Sequence, residues 1–166
     1  MNKRENNLKK RLNGDAICTW GIAGVVGVVG LSKIFTAIGG FMNGGVMKGD
    51  LEGSPALVMG DGVRQILMAA AVVLLAMVLT SIGKEGRPFT KGNVNKFRGM
   101  AILMVVCAVC RVLVSSVAGF FDPQASFQLT FGVTDLVYGV IGAILGIISE
   151  IFYYGYGLQE ELDSIA

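Results

Sequence analysis

GIAGVVGVVG runs from Gly21 to Gly30, apolar throughout, with glycine at every third position. In water each glycine costs a helix about 1 kcal/mol relative to alanine, so such a stretch unravels a soluble helix. In hydrocarbon an unpaired backbone group costs more than the helix does, and glycine is tolerated. The stretch therefore predicts a membrane-spanning helix. The rest of the chain agrees. Of 166 residues, 53% are hydrophobic and 16% charged, against about 25% charge in a typical soluble domain. The charges cluster between long apolar runs and nearly vanish inside them.

About 20 apolar residues are needed to cross roughly 30 Å of hydrocarbon. Four runs qualify: 17–41, 63–83, 99–121 and 136–157. They predict an all-α fold, a four-span antiparallel transmembrane bundle forming one integral membrane domain over 1–166. Lys3, Arg4, Lys9, Lys10 and Arg11 precede the first span, and Lys84, Arg87, Lys91, Lys96 and Arg98 lie between the second and third. The other connections are poor in cations. The positive-inside rule then places both termini in the cytoplasm. The first run continues past Lys33 without a small-x-small site, which predicts an uncleaved span and not a signal peptide.

The spacing of the glycines suggests packing. Gly21, Gly24, Gly27 and Gly30 form a shallow groove, and Gly142 and Gly146 make a G-x-x-x-G in the fourth run. Small residues let membrane helices approach closely. The expectation is contact of the first span with the fourth, or with a second copy in a homo-oligomer.

Lys33, Arg111 and Glu150 interrupt apolar runs. Each costs about 2.5 to 3.5 kcal/mol at mid-membrane on insertion scales, so such residues face the interior and pair. Lys33 can snorkel outward, or pair with Asp61 or Asp135. From the edges of the runs, Arg111 lies about 18 Å and Glu150 about 10 Å from the inner boundary, and their side chains lean toward each other. An Arg111–Glu150 pair fixing the register of the last two spans is the expectation. A titrating Glu150 tuned by Arg111 is the competing one.

Catalytic signatures are missing. There is no histidine, no phosphate-binding loop and no nucleophile–base motif. Cys107 and Cys110 form a C-x-x-C, but without a second pair on an apolar helix they read as small packing residues, not as a metal site. The expectation is a non-enzyme with no cofactor, no metal and no direct nucleic-acid binding, whose first partner is the lipid bilayer.

Between the second and third runs, Gly86 and Pro88 turn the chain and Thr90 can cap the next helix. The last run leads into an acidic tail with Glu160, Glu161 and Asp163, by default solvated, with contact to the basic loop or to a partner as the alternatives. Pro88, Phe89 and Asn93 in this loop, with Glu150, Phe152, Gly155, Leu158 and Glu161 at the end of the last run, resemble the YoaS-like family of small bacterial four-helix membrane proteins, whose domain has no known function. The likeness covers 86–164. It implies a multi-pass protein of the bacterial cytoplasmic membrane. Members are often encoded beside a small helix-turn-helix protein, which implies a cytoplasmic protein partner reached through loop 84–98 and tail 158–166. Three functions are carried forward: a regulatory or sensing membrane component, a small oligomeric transporter coupled to protons or cations through Glu150, and an immunity or resistance protein using the outer loop 42–61.

Overall fold

A computed structural model describes residues 3–43, 54–119 and 132–165. Four helices account for nearly all of them: α1 (Lys3–Met42), α2 (Pro55–Glu85), α3 (Lys91–Gly119) and α4 (Val133–Ile165). All four are long and apolar enough to cross a membrane. The chain is a multi-pass membrane protein.

Local chemistry sets the helix ends. Ser54 sits in extended backbone and its hydroxyl accepts from Leu57 N at 3.4 Å, with Pro55 in the first turn, where a missing N–H costs nothing. Gly86 closes α2 at φ 68°, a left-handed conformation that favours glycine, and donates to Ile82 O at 2.9 Å. Thr90 caps α3, as its position suggested: its hydroxyl accepts from Asn93 N at 3.2 Å.

The helices pack in chain order, α1 on α2, α2 on α3, α3 on α4. Among the described residues α1 and α4 do not pack together, so the row stays open at both edges. This overturns the expected contact of the first span with the fourth inside one chain. Steps of three residues rotate by 60° per glycine, so the four glycines of α1 spread over half its circumference. Gly27 and Gly30 face α2, against Ala69 and Ile66, while Gly21 and Gly24 have nothing within 4 Å. On α4, Gly142 seats against Val105 and the Ala101 carbonyl of α3, and Gly146 meets nothing within 4 Å. The tightest α1–α2 approach pairs Gly30 with Gly62. A Cβ on Gly62 would lie 2.8 Å from Ile34 Cγ1 and 3.0 Å from Gly30 O.

A small buried cluster of Ala71, Val78, Phe97 and Met100 joins α2 and α3, and Phe152 packs against it from α4. It lies toward the end of the row that carries both termini.

Candidate functional site

Polar side chains gather at two levels. The first lies far from the termini, where α2 begins, α3 ends and α4 begins. Arg64 is its hub. Its guanidinium contacts Asp135 Oδ1 at 3.0 Å and Asp61 Oδ1 at 2.9 Å, and stands 5.4 Å from the centre of the Tyr138 ring. Arg111 reaches the same Asp61 oxygen, Nε to Oδ1 at 3.1 Å. That contact is coulombic, because neither Arg111 Nε nor Asp61 Oδ1 has a hydrogen bond of suitable angle. Gly132 N donates to Asp135 Oδ2 at 2.9 Å, so one carboxylate joins the start of α4 to α2. Asp135 has no exposed side-chain surface and Arg64 only 13%. Two cations and two anions balance, which is what low-dielectric surroundings require. Cys107 Sγ donates to the Arg64 carbonyl at 3.6 Å. Cys107 and Cys110 are both buried, which fits their reading as packing residues.

This level overturns the expected Arg111–Glu150 pair. Gly60 of α2 touches the Arg111 backbone, and a Cβ on Gly132 would lie 3.9 Å from Arg111 Nη1. Arg111 therefore sits level with the start of α4. Glu150 lies 15 residues further along α4, about 22 Å away along the axis. Neither expected partner of Lys33 bonds to it; Asp61 and Asp135 bind the two arginines instead. Lys33 is half-buried and has no ion pair among the described residues. Arg64, the hub, escaped the sequence reading because it lies at the very edge of the second apolar run. Its signal was there: an Asp61–Arg64 spacing of three, the helical ion-pair distance.

The second level lies at the end carrying both termini, and here the residues of the loop and tail motifs meet. Phe152 of α4 packs at a tilt between Phe89, centroids 5.1 Å apart, and Phe97, 4.6 Å apart. Gly155 makes room for Phe89; a Cβ there would lie 2.7 Å from its ring. Asn93 is fully buried and its side-chain N–H donates to the Pro88 carbonyl at 3.1 Å, which fixes the turn. Glu150 accepts from Arg98 at 2.9 Å, with side chains 64% and 51% exposed. Asp163 lies 3.7 Å from Arg87. Leu158 and Glu161 point away from this cluster and are exposed. The loop after α2 and the last turns of α4 thus form one unit. A cleft of about 240 Å³ runs between them, lined by Arg87, Phe89, Lys91, Tyr156, Glu160 and Asp163.

A wider apolar groove, about 620 Å³, opens at the opposite end over Ile38, Met59, Leu113 and Val117. Among the described residues no polar side chain lines it. Among the described residues no His, Cys, Asp and Glu side chains gather in a group able to hold a metal ion. Most of the two connections far from the termini lies outside the described residues, and so does half of the loop assigned to the immunity reading.

No curated protein and no solved structure matches the chain. Residues 66–165 match the model of a family described as a protein of unknown function, DUF2975. The match takes in α3, α4 and most of α2, including Arg111, Asp135 and all the aromatic residues of the loop–tail cluster. As it extends over more than half of the sequence, the chain belongs to the DUF2975 family.

Proposed function

We propose that this protein is a non-enzymatic component of the bacterial cytoplasmic membrane that holds a cytoplasmic protein on the cleft between loop 84–98 and tail 158–166. The carrying observation is the convergence of the motif residues Phe89, Phe152 and Gly155 beneath that cleft. Aromatic packing makes the loop and the tail rigid, so the charged rim above them presents a fixed pattern. Arg87 and Lys91 supply cations on one wall, Glu160 and Asp163 anions on the other. Such a rim suits a polar, charge-patterned protein surface. The basic loop supports a cytoplasmic position for this end, by the positive-inside rule. The YoaS-like resemblance adds a small helix-turn-helix regulator as the first partner to test.

Transport through Glu150 is the weaker reading. A coupling carboxylate is expected to face a sheltered path, and this one is mostly exposed and paired with Arg98.

The test is in-cell crosslinking of the tagged full-length protein, followed by mass spectrometry. One soluble protein should dominate, and Lys91→Glu with Asp163→Arg should lower its yield at least five-fold at equal membrane levels. Equal recovery from the variant sinks the cleft as the docking site. Cation uptake into proteoliposomes, lost in Glu150→Gln, would favour transport instead.

A further inference from the structure

The two edge helices of the row have bare faces, and these faces match each other. On α4 an uncharged stripe runs through Val140, Ile144, Ile147, Ile151, Leu158 and Leu162, every one at least 45% exposed. It lies on the far side of α4 from the loop–tail cleft. Lipid covers only part of it: α4 has 33 residues, about 50 Å of helix, against roughly 30 Å of hydrocarbon. Leu158 and Leu162 lie beyond the Arg98–Glu150 level, on a stretch whose charges are all acidic. On α1 the face turned from α2 is narrow. Gly14 and Gly21 have nothing within 4 Å, and Cys18 between them is exposed.

Depths correspond as well. Asn13 touches Gly83 of α2, nine residues beyond Leu74, which touches Gly99 of α3. Arg98, next to Gly99, bonds Glu150, and nine residues further along α4 stands Gln159. Asn13 and Gln159 are therefore level. So, within a turn, are Lys10 and Arg11 with Glu160 and Glu161, Cys18 with Tyr154, and Gly21 with Ile151. Lys10, Arg11 and Glu161 are all exposed and have no ion pair among the described residues. The sequence before Gly14 carries five cations and one acid, while α4 from Glu150 onward carries four acids and no cation.

We infer that α4 of one copy packs on α1 of a second copy. Bulky Ile151, Tyr154 and Leu158 enter the groove over Gly14, Cys18 and Gly21, and the basic start of α1 lies along the acidic end of α4. Among the described residues of one chain this contact is absent, because α1 and α4 stand at opposite edges of the row. Joining different faces makes the contact head-to-tail, and such contacts propagate into a ring or a chain of copies. Close approach over small residues is the usual basis of helix association in lipid.

Cys18 makes the idea testable in native membranes. A disulfide needs Cα atoms about 4.4 to 6.8 Å apart. Oxidation of membranes containing Tyr154→Cys should give a ladder of covalent dimers and larger species. Adding Cys18→Ser should abolish it. Val140→Cys, on the same face but 14 residues or about 21 Å away, should give less than a tenth of the crosslink. Glu161→Lys should lower the Tyr154→Cys crosslink at least two-fold, and adding Arg11→Glu should restore it. A disulfide dimer through Cys18 in the unsubstituted protein would mean a symmetric α1–α1 contact and overturn the proposal. So would failure of well-expressed Tyr154→Cys to crosslink, or equal crosslinking at position 140. Because the stripe and the cleft occupy opposite sides of α4, loss of the cytoplasmic partner in the cleft variants leaves this result untouched, and the reverse.

Discussion

Arg64 and Arg98 each hold a carboxylate on α4, yet their surroundings differ enough to give opposite energetic outcomes. Arg64 meets Asp135, whose side chain is wholly buried. Removing the cation leaves an uncompensated charge in low dielectric, a change that costs about 3–5 kcal/mol. Arg98 meets Glu150 with both side chains more than half exposed, where an ion pair is worth about 0–1 kcal/mol. Arg64→Gln should therefore lower the thermal midpoint in detergent strongly, and Arg98→Gln hardly at all. Arg64→Gln combined with Asp135→Asn should recover part of the loss, since the stranded charge is gone. Equal effects of the two single changes would mean that water reaches Asp135. Gly155 gives a steric counterpart. A methyl there meets the Phe89 ring at 2.7 Å, and that ring is itself held by Phe152. Overpacking of this kind costs about 1–3 kcal/mol. Gly155→Ala should destabilise by that amount, and Gly146→Ala, with nothing within 4 Å, should not.

Among the elements, α3 begins most tightly, and its beginning was legible in advance. Thr90 accepts from Asn93 N, the N-cap geometry, and its loss typically costs about 1 kcal/mol. Thr90→Ala should destabilise by about that much while Thr90→Ser stays near the parent, a comparison that thermal unfolding in detergent resolves. The spans were legible for the same reason: each rests on local signals, hydropathy and caps. The meeting of Phe89 with Phe152 and Gly155 was not, because it joins two stretches far apart in the sequence. The partners of the charges were not. They depend on the register between α3 and α4, which was inferred from the edges of the apolar runs. The α4 run continues through Phe152, Tyr153, Tyr154 and Tyr156, well past Glu150. The start of the α3 run lies level with Glu150 instead, through the Arg98 contact. Aligning the edges therefore slid the two helices by about two turns and brought Arg111 falsely near Glu150. The glycines misled differently. Spacing of three shows that a helix has small faces, but not which neighbour occupies each one.

For the whole molecule, the open row makes a distinctive demand on α1. Among the described residues each inner helix is held from two sides, but α1 packs only on α2, most tightly where Gly30 meets Gly62. Membrane helices that are already stable in lipid associate through packing alone, so a covalent link between them is dispensable when the packing is good. Residues 1–50 and 51–166, made as separate chains in one cell, should therefore reassemble, and a tag on the longer piece should retain the shorter through detergent extraction. Gly62→Leu in the longer piece should abolish retention. A Cβ at that position already lies 2.8 Å from Ile34 and 3.0 Å from the Gly30 carbonyl, so a larger side chain drives the two backbones apart. The α2–α4 part should remain folded in that variant, because the Arg64–Asp135 bond and the Phe97–Phe152 packing lie outside the Gly30–Gly62 contact. Retention of 1–50 despite Gly62→Leu would locate the grip on α1 elsewhere, with the Asn13–Gly83 and Gly27–Ala69 contacts as the remaining points to test. Failure of the unsubstituted pieces to associate would mean that the connection between α1 and α2 holds the helix in place and the glycine contact follows from it.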